Sequence, residues 1–227
     1  MCGRFSQGEP SRHISDYFGA YPDDDLPDGL YNVPPTETIR MVVDRGEQRR
    51  LVAARWGFEP FWAAGQPRSP QSWINARAET AWDSPAFGRS IRARRCVIPA
   101  DAFYEWDRTT KPRQPYAIGP VREDGMLALA GIWRAVPDEL PTTAILTTTP
   151  NELIAPLHHR MPVILDPAIL AAWLDPETDL GVVAALLAPA PDDALRMWPV
   201  STAVNKVDAD GRDLLRPVEL AANLGLV

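Results

Sequence analysis

The sequence predicts an α+β fold, mainly antiparallel, in a single domain over residues 1–227 with short helices flanking a sheet core. Strand-like apolar runs fill the middle of the chain and helix-like segments lie towards its edges. No regular βαβ alternation joins them. The 24 prolines are scattered rather than clustered, which favours many short elements joined by fixed turns.

Taken in order, Ser11–Phe18 reads as a short helix, with Ser11 as N-cap, Ile14, Tyr17 and Phe18 on one face, and Gly19 as its stop. Residues 21–29 form an acidic loop rich in Pro and Gly. Residues 38–43 and 50–56 read as a hairpin around Asp44-Arg45-Gly46. Ser84-Pro85 opens a second helix in N-cap then N1 order, and its later turns carry Arg89, Arg92, Arg94 and Arg95. Strands are expected at 96–98, 103–106, 116–118, 126–133, 143–148 and 162–165. Asp166-Pro167 starts a helix through Trp173, and residues 180–187 form the next one.

Composition bounds the function. With 227 residues, 45% of them hydrophobic and 23% charged, the chain can bury a real core. Two cysteines are too few for a disulfide framework and fit a reducing compartment. There is no apolar leader and no run near the about 18 apolar residues of a membrane helix, so the cytoplasm is expected and a membrane partner is not. A net charge of −7 argues against a general nucleic-acid coat, although a local basic patch escapes that argument. The arginine cluster at 89–95, taken alone, reads as solvated surface charge.

Four segments place ionisable groups inside apolar, strand-like surroundings. The first is Met1-Cys2-Gly3-Arg4-Phe5. Removal of Met1 before a small residue would leave Cys2 with a free α-amine and a thiol two carbons apart, titrating near about 8 and about 8.5. Together they attack one carbonyl twice, giving an imine and then a five-membered thiazolidine, which an internal cysteine cannot do. In the second segment, 73–79, Asn75 and Arg77 share one side of an extended strand. In the third, 99–106, Glu105 lies between Tyr104 and Trp106, and partial desolvation there raises its pKa towards general acid–base use. The fourth, 157–162, supplies His158 and His159 beside Arg160. Each has a plainer reading: Cys2 an accident of position, Cys96 a small buried hydrophobe, Asn75 a turn cap, Arg77 a partner of Glu79, Glu105 an acid satisfied by an arginine. No CxxC, HxH or HExxH pattern accompanies the histidines, so no metal and no cofactor is expected. Jointly, a terminal Cys, a Glu, a His and an Asn make a nucleophilic site.

The blocks 1–5, 31–35, 55–57, 74–80, 95–100, 103–106, 129–133, 147–149, 158–162, 199–201 and 204–205 resemble, in order and over roughly the whole chain, the SRAP domain family (SOS response-associated peptidase-like proteins). One position departs: the family usually has an acidic residue directly after the histidine, and here it is His159. The resemblance implies a single SRAP-type domain with a β-barrel-like core. It also implies a function in DNA damage, the covalent capture of abasic sites in single-stranded DNA, with possible lyase and autopeptidase activity, by a monomer. Carried over by position, Cys2 is the crosslinking residue, Glu105 and His158 move protons, and Asn75 orients the amine or the sugar. Arg4, Arg77 and Arg160 hold flanking phosphates, while Trp62 or Phe61 stacks on a base. Two other readings stand beside it: an N-terminal-cysteine thiol peptidase or amidohydrolase with His158 as base, and a non-catalytic single-strand-binding module.

Overall fold

The computed structural model describes residues 2–46, 48–63 and 73–220. The strands in chain order are β1 (Phe5–Gln7), β2 (Ala20–Pro22), β3 (Leu30–Val33), β4 (Thr38–Asp44), β5 (Arg49–Trp56), β6 (Asn75–Arg77), β7 (Arg95–Ala100), β8 (Ala102–Asp107), β9 (Gln114–Pro120), β10 (Leu127–Arg134), β11 (Thr142–Thr148), β12 (Met161–Pro162) and β13 (Leu195–Pro199). The helices are α1 (Ser11–Phe18), α2 (Ala78–Ala81), α3 (Gly88–Ala93), α4 (Leu170–Leu174) and α5 (Leu180–Ala185).

Two sheets result. The smaller runs β13-β9-β8-β1-β3 and is antiparallel throughout. The larger runs β12-β11-β10-β7-β4-β5-β2, with β6 added beside β11. Its β11 also pairs in parallel with β5 at Thr142↔Arg55 and Thr143↔Trp56, so the strands form a ring. Two residue pairs close it, which makes it a closed ring rather than a regular barrel.

Side chains on the larger sheet alternate with a period of two, and that alternation decides what each face buries. Cys96 and Ile98 on β7, Leu127 and Leu129 on β10, and Met41 and Val43 on β4 point to the smaller sheet, where they meet Phe5, Phe103 and Ile118. Val97, Ala128, Ala130 and Val42 point the other way, onto Ile14 and Phe18 of α1, Trp173 of α4 and Val183 of α5. On the far face of the smaller sheet, Ala102, Tyr104 and Ala117 pack on Val200, Val204 and Leu214. Among the described residues no helix is long and apolar enough to cross a membrane.

Local signals placed their elements well. α1 ends at Gly19, whose φ of 59° is the left-handed conformation glycine allows. In the β4–β5 turn Asp44 Oδ1 accepts from Gly46 N at 2.7 Å. Asp166 accepts from Ala168 N ahead of Pro167, as a cap should, and a 3₁₀ turn there leads into α4. Two expectations fail. Pro10, not Ser11, precedes α1, and the Ser11 hydroxyl instead accepts from Arg40 Nη1 at 3.1 Å. Ser84 caps a turn through Ala86 N, so α3 begins only at Gly88.

Candidate active site

A chain end usually frays unless it is tied, and here the N-terminal segment is tied at almost every residue. Cys2 is fully buried in the core between the sheets, and Phe5 meets Trp56 edge-on at 4.9 Å. β1 pairs with β3 on one side and β8 on the other. The Arg4 carbonyl accepts from Tyr104 N at 3.0 Å, and the Ser6 hydroxyl reaches Asp101 Oδ2 at 2.5 Å. Gln7 Nε2 donates to the carbonyls of Arg40 (2.8 Å) and Pro99 (2.7 Å), while its Oε1 accepts from Arg40 N at 2.8 Å. The buried Arg40 guanidinium answers by donating to the carbonyls of Gln7 and Glu9.

Three further elements bring polar groups to this end. β6 lies parallel to β11 at Asn75↔Ile145, and Asn75 Nδ2 donates to the Cys2 carbonyl at 2.8 Å. Asn75 Oδ1 is buried and accepts no hydrogen bond from the described residues. On β8, Glu105 is only 5% exposed, and burial pushes its carboxyl from the ordinary 4.5 up to about 7, against the pull of the Arg108 charge. His158 is buried on the loop before β12, where its Nδ1 accepts from the Arg160 backbone N–H at 3.0 Å. The same Nδ1 lies 3.1 Å from the Arg160 carbonyl, so both backbone groups of Arg160 hold the ring. Desolvation lowers its pKa to about 4, keeping the ring neutral near pH 7. The exposed His159 ring stacks on it at 4.4 Å and 25°.

One sequence expectation needs correction. The Cys2 thiol is not poised near 8.5: burial and then the Glu105 charge push it up to about 12. With almost no thiolate at neutral pH, the thiol must lose its proton as it reacts.

The three candidate phosphate ligands part company. Arg77 is exposed at the end of β6. Arg160 is buried and forms a fork with Glu79, Nη1 to Oε1 at 2.7 Å and Nη2 to Oε2 at 2.8 Å. Glu79 thus pairs with Arg160 and not with Arg77, and a phosphate would have to displace that fork. Arg4 Nη1 donates to Asn32 Oδ1 at 2.8 Å and the Val204 carbonyl at 3.3 Å. Phe61 and Trp62 sit on a 3₁₀ turn, 56% and 45% exposed, with rings edge-to-face at 5.0 Å.

Sequence reasoning passed over two neighbours. Trp73, 40% exposed, continues the aromatic edge 6.0 Å from Trp62 and 5.5 Å from Phe87. Its position two residues before Asn75, on the same side of an extended segment, was the available signal. Arg108, exposed just past β8, lowers the pKa of both Glu105 and His158, and only its closeness to Glu105 in sequence hinted at that. Among the described residues, no three His, Cys, Asp or Glu side chains gather to hold a metal ion.

A family model described as SOS response associated peptidase (SRAP) matches residues 1–207. Abasic site processing protein YoqW of Bacillus subtilis is 36% identical over 225 residues, covering 95% of this chain and 99% of that one. Abasic site processing protein YedK of Escherichia coli is 30% identical over 230 residues, covering 96% and 100%. A protein of Bacteroides thetaiotaomicron with a crystal structure superposes with a TM-score of 0.85 over 96% of this chain and all of its own, at 23% identity, a likeness of fold.

Proposed function

Because the chain belongs to the SOS response associated peptidase (SRAP) family, we propose that it captures abasic sites in single-stranded DNA covalently through Cys2 once Met1 has been removed. The observation that carries this reading is the bond from Asn75 Nδ2 to the Cys2 carbonyl at 2.8 Å, which fixes residue 2 beside Glu105. The names of its relatives YoqW and YedK, abasic site processing proteins, support the substrate.

The chemistry follows from the groups present. An abasic sugar is mostly a closed hemiacetal. Ionised Glu105, near half its population at pH 7, takes the proton of the C1′ hydroxyl as the ring opens, and a proton returned to O4′ completes the step. In this reading Glu105 hands the proton it has taken on to O4′ and is ionised again for the later steps, while neutral His158 is the hydrogen-bonding partner beside that oxygen. The α-amine then adds to the C1′ aldehyde and water leaves, giving an imine. The thiol adds across the C=N bond, sulfur bonding to C1′ while the thiol proton passes to Glu105 and a proton reaches nitrogen. One water is lost overall, and neither metal nor cofactor is needed. Asn75 Oδ1 is the acceptor for the α-ammonium before reaction. The imine stage also opens a lyase branch, since it acidifies C2′ and permits loss of the 3′ phosphate. In this reading residues 1–227 act as one domain, as a monomer, with Arg77, Phe61 and Trp62 meeting the strand around the lesion.

The thiol-peptidase alternative needs a resting thiolate, and both burial and the Glu105 charge oppose one. Intact mass after mixing with an abasic oligonucleotide tests the proposal. The expected adduct weighs the chain without Met1 plus the oligonucleotide less one water, and Cys2→Ala gives none that survives denaturation without reduction. Absence of an adduct from chain that has lost Met1 would overturn it.

A further inference from the structure

The arginine cluster of residues 89–95, passed over as surface charge, divides in the fold. Arg95 is 3% exposed, with its guanidinium spent on the carbonyls of Trp173, Ile91, Arg92 and Asp175. Arg89, Arg92 and Arg94 are exposed, and none has an ion pair with any described residue. In a chain of net charge −7, three exposed and unpaired cations on one six-residue helix and its C-cap are a local exception. Two of them are held in place. The Arg92 guanidinium lies 5.7 Å from the Trp82 ring centre and donates to the Trp82 and Gly88 carbonyls, and the Arg94 guanidinium lies 5.6 Å from the Trp133 ring centre. A guanidinium stacked on an indole loses little further freedom when it binds an anion.

This helix does not stand apart from the candidate active site. Phe87, the residue that precedes α3, contacts Trp73 at 5.5 Å, and Trp73 contacts Trp62 at 6.0 Å and stands two residues from Asn75. The exposed aromatic edge, which begins beside the residue that holds Cys2, thus reaches the start of α3 through half-buried Phe87, and the cations follow along that helix. Aromatic faces with flanking arginines suit a single strand, whose bases stack and whose phosphates need charge but no sequence readout.

We propose that Trp73 and the α3 arginines Arg89, Arg92 and Arg94 form a track that binds the DNA strand on one side of the lesion, outside the groups that react. The inference rests on the abasic-DNA reading and adds a direction to it: the footprint is lopsided. Neutralising each phosphate contact on a single strand removes about 0.7 from the slope of log affinity against log salt, so three contacts predict a slope smaller by about 2.

The test measures affinity for oligonucleotides carrying a reduced, non-crosslinkable abasic analogue, extended on the 5′ side only, on the 3′ side only, or on neither. The expected result is that one extension strengthens binding at least about fivefold. That gain should disappear in Arg89→Gln/Arg92→Gln/Arg94→Gln together with the change in salt slope. Arg92 bonds to two carbonyls, so Arg89→Gln/Arg94→Gln serves as a variant that leaves the helix contacts intact and should lose about 1 from the slope. Equal gain from both extensions, gain from neither, or a gain that survives in both variants overturns the track. Covalent trapping of the short unextended strand tests the Cys2 reading separately, so the two can fail independently.

Discussion

Two regions of this molecule, the surroundings of Cys2 and the exposed aromatic edge with α3, differ in how their side chains are kept. Around Cys2 they are buried and held by backbone: Asn75 to the Cys2 carbonyl, His158 to Arg160 N–H, Gln7 clasped to Arg40. Around Phe61, Trp62, Trp73 and α3 the side chains are exposed, and ring-on-ring or ring-on-guanidinium contacts fix them, with two backbone carbonyls added at Arg92. Burial shifts titration and sets geometry, which suits the first region to the proposed reaction. Exposure preserves charge and stacking faces, which suits the second to the proposed binding of a strand.

The largest effect that can break this division is at residue 2. Placing a glycine ahead of Cys2, so that the α-amine is an amide, should abolish the stable adduct completely, whereas Cys2→Ser should leave an imine that survives a denaturing gel only after borohydride reduction. A stable adduct from the blocked chain would show that the thiol acts alone and that buried position is not what matters.

Glu105→Gln comes next. Loss of a positioned acid–base group should slow crosslinking by roughly 10²–10⁴-fold. Stability should move the other way. The folded state raises the Glu105 pKa from 4.5 to about 7, so its stabilising contribution is full below pH 4.5 and is lost as pH rises through 7. At pH 8 the variant should therefore be more stable than the parent by up to about 3 kcal/mol, the difference fading below pH 4.5. His158, lowered from 6.5 to about 4, has the opposite sign and weakens the fold as pH falls through that window, which is why the comparison is made at pH 8. Denaturant unfolding at pH 8 and pH 4 reads both, and equal stability of the two proteins at pH 8 would count against a desolvated carboxyl.

Trp73→Ala should have the smallest effect and the most selective one: a loss of about 1–3 kcal/mol in binding, or roughly 5- to 150-fold in apparent Kd, seen in the concentration dependence of crosslinking. A fall in the rate at saturating DNA instead would mean that Trp73 supports Asn75, and the two regions would not be separable.

Legibility in the sequence followed the range of each interaction. α1 with Gly19, the turn at Asp44 to Gly46 and the Asp166 cap rest on contacts a few residues long, and they were readable. β1 and β3 have only three or four residues each and no local pattern gives their pairing, while β6, legible as an extended segment, owes its place to β11 seventy positions further on, Asn75↔Ile145. Ser84-Pro85 carried a sound local signal that the turn before Gly88 took over. The residue types at the site could be picked out as polar groups among apolar ones. Their states could not: the raised Cys2 thiol comes from burial across two sheets, and the Arg160 fork to Glu79 spans 81 positions.

The placing of β1 has a mechanical consequence. It is an inner strand, with Phe5 opposite both Val33 and Phe103 and the Arg4 carbonyl bonded to Tyr104 N. A load applied through a nucleotide joined at residue 2 runs along the strand and strains the ladders on both sides together, in shear, instead of opening them one bond at a time. Gln7 and Arg40 sit behind them as a further stop. Tension on captured DNA would thus be borne by the sheet, not by a loose tail.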